Sequence, residues 1–124
     1  MEAGLVFSFH GDPLYWHTPE DRTSGSLPDS RALWDFLWLH RAIVGGVAHT
    51  HPWSGSAAPS NTDVTTFAAI EAGLGERFVW PIVTFTEVKY YTWNGSGRHE
   101  YGEMERRRFR LDRNDIERLR ELSR

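Results

Sequence analysis

Apolar and polar positions along the chain switch between two periods, and the switches mark its elements. Leu5-Val6-Phe7-Ser8-Phe9 is a short apolar run closed by Gly11-Asp12-Pro13, which predicts a strand and a turn. Leu14 to Thr18 reads as a second strand, paired with the first as a hairpin. From Pro19 to Ser30 the chain is rich in Ser, Gly and Pro and reads as a loop. Asp29 or Ser30 can cap a helix running to about His40, with Leu33, Phe36, Leu37 and His40 on one face and Trp34 and Trp38 beside them as further core. Ile43 to Ala48 predicts a buried strand ending at His49, and Pro52 to Pro59 a loop. A second helix starts near Ser60 or Asn61, runs through Phe67 and Ile70, and stops at Gly73 or Gly75.

The second half reads in the same way. Arg77 to Trp93 alternates β-branched and aromatic residues around Pro81, as one bent strand or two. Asn94-Gly95 is a hairpin turn, followed by a strand near His99 to Tyr101 and another around Arg106 to Leu111. Asn114 can cap a last helix, with Glu117 at the capping-box position and Ile116, Leu119 and Leu122 as its stripe. With no internal repeat, these elements predict a single α/β domain over residues 1–124, its sheet mixed or mainly antiparallel and flanked by helices.

Composition narrows the function classes. At 124 residues, 40% hydrophobic and 25% charged, the chain has ordinary globular usage and room for one core. Six Trp, seven Phe and four Tyr supply large apolar areas to that core. The net charge of −3 carries no nucleic-acid or membrane signature. The basic run Arg106-Arg107-Arg108-Phe109-Arg110 is diluted by acidic residues from Asp112 to Glu121, so it suits a protein contact better than nucleic acid. No apolar run approaches a membrane span and no basic-then-apolar leader is present, so a cytoplasmic protein is expected. Without cysteine, a metal would need histidine and carboxylate ligands.

Those ligand types occur together in one stretch. His49-Thr50-His51-Pro52 ends the apolar strand, and Ser60-Asn61-Thr62-Asp63 opens the following helix. The two histidines are expected to converge on one metal if the strand bends into the loop, a break Pro52 can enforce, and otherwise to fall on opposite faces; Asp63 can fold back as third ligand. A His₂Asp set leaves tetrahedral Zn²⁺ one open position, the arrangement of a hydrolytic site. Taken singly the residues have plainer readings: Asp63 as a carboxylate at a helix N-terminus, Ser60 as an N-cap, and the histidines as side chains without metal. Trp53, beside the loop, either lines a substrate groove or anchors the loop.

Together these residues resemble the JAMM motif of the JAB/MPN metalloprotease family, His-x-His-Pro, a loop, then Ser-x-x-Asp. The resemblance extends over about residues 2 to 95, with a glycine-containing apolar strand before His49 and a strand ending in Tyr91-Thr92-Trp93-Asn94-Gly95. It implies a JAB/MPN-like (cytidine deaminase-like) fold and a zinc-dependent peptidase or isopeptidase, of the compact prokaryotic type. The family roles would make His49, His51 and Asp63 the zinc ligands and Ser60 the oxyanion stabiliser. Glu2, in Glu2-Ala3-Gly4-Leu5-Val6-Phe7, would be the general base, 47 positions before His49; Glu20, in a polar loop, competes for that role. Substrates implied are protein or peptide tails, including C-terminal tails of ubiquitin-like or sulfur-carrier proteins, with no indication of oligomeric state. A catalytically silent binding module of the same fold is the alternative, although such members usually lose the ligands this chain keeps.

Two departures from the pattern bear on chemistry. Eight residues separate His51 from Ser60 where the familiar spacing is seven, and a flexible Trp53 to Ala58 loop can absorb one. Glu2 directly follows Met1, and a terminus frays unless it is tied down.

Overall fold

The computed structural model describes residues 1–104 and 109–124. Among the described residues, six strands form one mixed sheet in the order β2-β1-β3-β4-β5-β6. Along the chain these are β1 (Gly4–Ser8), β2 (Pro13–His17), β3 (Val44–Thr50), β4 (Trp80–Val83), β5 (Val88–Trp93) and β6 (Tyr101–Glu103). The described residues add three helices: α1 (Arg31–Leu39), α2 (Asn61–Leu74) and α3 (Arg113–Ser123). Only β3 and β4 pair in parallel, because α2 supplies the crossover between them; the other neighbours are antiparallel.

Strand alternation sorts the side chains into two cores. Val6, Val47 and Ile82 face one side, where they pack with Leu33 and Leu37 of α1 and Phe67 and Ile70 of α2. Leu5, Phe7, Ala48 and Val83 face the other, against Leu111 and Leu119. The result is three layers, with α1 and α2 on one face of the sheet and α3 on the other. Gly46 makes the centre of that sheet closable, since a Cβ there would stand 1.8 Å from Val79 O. Gly75 ends α2 in the left-handed region at φ 70°, as its C-cap.

Local signals placed most boundaries within a residue or two, and the differences have local causes. The Arg77 to Trp93 region is two strands, broken at residues 84–87. The last helix is capped by Asp112, not Asn114, whose N–H donates to the Asp112 side chain. Leu111 is buried with its N–H held by Tyr90 Oη at 3.1 Å, which fixes the chain immediately before the helix. In the expected Arg106 to Leu111 strand, residues 106–108 lie outside the described residues and 109–111 have no regular structure. The basic run has the same limit. Trp38 is not core: Leu33 and Leu37 take the inward face of α1, and Trp38 is 55% exposed under the Arg41 guanidinium. Among the described residues no helix is long and apolar enough to cross a membrane.

Candidate metal centre

His49 and Asp63 are brought together by β3 and α2, and His51 follows β3 by one residue. No bend is required for the histidines to converge. Residues i and i+2 share a strand face, and that face is the one carrying Val47 and covered by α2. His51 N donates to Val83 O (2.9 Å), extending the pairing with β4. The two Nε2 atoms stand 3.1 Å apart. Asp63 Oδ2 lies 3.0 Å from His51 Nε2 and Asp63 Oδ1 3.2 Å from His49 Nε2.

Ser60 and Asp63 form a capping box. Asp63 N donates to Ser60 Oγ (3.0 Å), and Ser60 N donates to Asp63 Oδ2 (2.9 Å). The plain reading of this pair, a helix start, is the one the capping box shows. The box that starts α2 also turns the carboxylate toward the histidines, and the Ser60 hydroxyl keeps its own proton for donation.

The donor set fits a metal. These three side chains form a group that could hold an ion. A tetrahedral zinc with ligands about 2.0–2.1 Å away spaces them about 3.3 Å apart, close to the separations seen here. Two imidazole nitrogens and a carboxylate suit a borderline cation, and metal identity is open among such ions. His51 Nδ1 is buried without a hydrogen-bond partner among the described residues. Its ring is held instead by packing, with the Trp53 ring centroid 4.5 Å away.

Electrostatics reinforce the cluster. Burial pushes the Asp63 carboxyl up, but hydrogen bonds from His49 and His51 and from the Ser60 backbone outweigh it and hold the group far below the ordinary carboxylate range. A carboxyl depressed in the folded state stabilises folding above its unfolded pKa and loses that contribution as pH falls. Metal-free protein is thus expected to lose stability below about pH 4. Asp63→Asn should flatten part of that decline. Denaturant unfolding at pH 6 and pH 3 measures it, and an unchanged decline in the variant would contradict the assignment.

Glu2 is buried and lines the same groove as His49, His51 and Asp63. Register explains why: β1 runs antiparallel to β3 with Gly4 opposite His49, so two further residues bring Glu2 level with His51. Alternation gives Glu2 the face of Val6, the metal-cluster face. Burial raises its carboxyl pKa, attraction to His49 and His51 opposes that rise, and Asp63 adds to it. The expected fraying is absent, since Glu2 N donates to Thr23 O (2.7 Å) and Ala3 N to Thr50 Oγ1 (2.8 Å). Glu20 is exposed and is not among the groove residues.

The groove encloses about 610 Å³. Glu2, Ser60 and the histidine–aspartate cluster lie along it with the apolar Leu33, Trp34, Phe67 and Ile70. Trp53 lines it too and is 45% exposed. The loop expected to be flexible is anchored. Thr84 Oγ1 donates to Gly55 O (2.9 Å), Tyr91 Oη to Ala57 O (2.7 Å), and Ala57 N to Glu87 Oε1 (2.5 Å). Nothing in the local pattern marked Thr84, Glu87 or Tyr91, whose partners lie about 30 residues away in sequence.

No protein-family model matches the chain, and no curated protein matches it.

Proposed function

We propose that the chain is a zinc-dependent metallopeptidase or isopeptidase of JAB/MPN type, acting on protein or peptide substrates. The observation that carries this reading is the meeting of five side chains in one groove. His49, His51 and Asp63 face one another at 3.0 to 3.2 Å, with Ser60 boxed to Asp63 and Glu2 just before the adjoining strand β1. The match in type and order to the motif His-x-His-Pro and Ser-x-x-Asp supports the family, and Glu2 at the register of His51 supports a base. A binding module has no need of a carboxylate buried beside an intact ligand set.

The three ligands would hold the ion at the Nε2 atoms and the Asp63 carboxylate. Zinc held there would supply polarisation of a scissile carbonyl and would bring the pKa of water toward neutrality. The Glu2 carboxylate takes the water's proton and returns it to the leaving amine nitrogen. The Ser60 hydroxyl donates to the oxygen on which charge develops. The apolar part of the groove seats substrate side chains and excludes water.

The test uses zinc-loaded protein with aminocoumarin amides of short peptides, Gly-Gly-ended tails among them. Amine release is expected, abolished by chelation and restored by added zinc. No release from any peptide by protein shown to hold zinc would overturn the hydrolase reading and leave the binding module.

A further inference from the structure

We infer that Arg22, Thr50 and Ser123 are positioning residues that hold Glu2 at the metal cluster by tying its segment to the end of α3; the inference rests on the reading of Glu2 as proton acceptor. A base must lie within hydrogen-bond reach of the proton it takes, and small displacements cost much of its effect. Glu2 precedes β1, so the ladder alone does not hold it.

What holds it comes from far along the chain. Arg22 Nη1 donates both to Glu2 O (3.1 Å) and to Leu122 O (3.0 Å), clamping the Glu2 peptide to the last turn of α3. Met1 N donates to Ser123 O (2.8 Å). The last carbonyls of a helix lack partners within it and favour cations, so the end of α3 is a natural seat for a guanidinium. Ala3 N donates to Thr50 Oγ1 (2.8 Å), and Thr50 Oγ1 lies 2.5 Å from Ser123 Oγ. Thr50 and Ser123 are 1% and 3% exposed, so these bonds are shielded from water.

The placement of Thr50 gives the network its consequence. It stands between the two candidate ligands, and alternation turns its hydroxyl to the α3 face while His49 and His51 face α2. One residue therefore relates the height of the imidazoles to that of Ala3 and hence of Glu2. α3, on the opposite face of the sheet from the groove, sets the position of the base without touching the substrate.

The experiment loads the full chain with Co²⁺ and titrates it with acetohydroxamate, followed by visible absorption. A hydroxamic acid gives up its hydroxyl proton on binding the metal, so its affinity reads a base held beside the open coordination position. Glu2→Gln is expected to weaken binding about tenfold or more. Arg22→Ala and Ser123→Ala should each weaken it about threefold or more while Co²⁺ affinity stays at the wild-type value. Arg22→Lys, which keeps a cation at the end of α3, should recover part of the loss. Wild-type hydroxamate affinity in Arg22→Ala and Ser123→Ala, with Glu2→Gln weakened, would overturn the positioning role alone. Wild-type affinity in Glu2→Gln would overturn the role of Glu2 itself, and the inference with it. If Arg22→Ala fails to fold, Ser123→Ala and Arg22→Lys decide the outcome.

Discussion

Glu2→Gln should retain its zinc and lose about 10²–10⁴-fold in turnover. The substitution keeps the shape and hydrogen-bonding reach of the side chain but removes the carboxylate that the proposed mechanism uses to take a proton. Glu2 is not among the three side chains whose ligand atoms converge, so the metal has no reason to leave. Its backbone ties, from Glu2 N to Thr23 O and from Arg22 to Glu2 O, are blind to the change. Metal content and hydrolysis of the same sample separate the two effects. Turnover within a few-fold of wild type would reject Glu2 as the base; loss of zinc together with turnover would make it a ligand instead.

Glu71→Ala should lower stability by about 3–5 kcal/mol, the cost of leaving buried donors without their acceptor. Glu71 is 3% exposed near the end of α2, and each of its oxygens accepts two hydrogen bonds. Oε2 accepts from Phe78 N and Trp80 Nε1, both at 2.9 Å. Oε1 accepts from Arg77 Nη1 at 2.8 Å and from Tyr101 Oη. One carboxylate thus joins α2, the approach to β4, and β6. Its removal strands several donors, of which the indole of Trp80 and the Phe78 amide are beyond the reach of water. The expected fall in Tm is roughly 10 °C or more, while the exposed neighbour Glu76→Ala changes stability by about 0.5 kcal/mol or less. Equal small effects for both would show that water replaces the network.

Glu71 also marks where reading the chain stops. It looks like any helix glutamate, because the donors it collects arrive from six to thirty residues away. Arg22 and Ser123 are silent in the same way, meeting Glu2 and Thr50 across 20 and 73 positions. What was legible is what local physics writes. Alternation gave the strands, Ser60 and Gly75 bounded α2, and Asn94-Gly95 marked the turn between β5 and β6. Ser60 and Asp63 were legible twice over, as a helix start and as a candidate oxyanion stabiliser and metal ligand. Trp38 shows the weakness of hydrophobicity alone, since its place on α1 turns it away from both cores.

Zinc content per chain tests the central claim most directly, comparing wild type with His51→Ala after loading and removal of excess metal. His51 Nε2 stands within 3.1 Å of His49 Nε2 and 3.0 Å of Asp63 Oδ2, so its loss opens the ligand set at its centre. About one zinc in wild type and none in the variant is the result expected of a His₂Asp site. No zinc in wild type, or equal zinc in both, would contradict it.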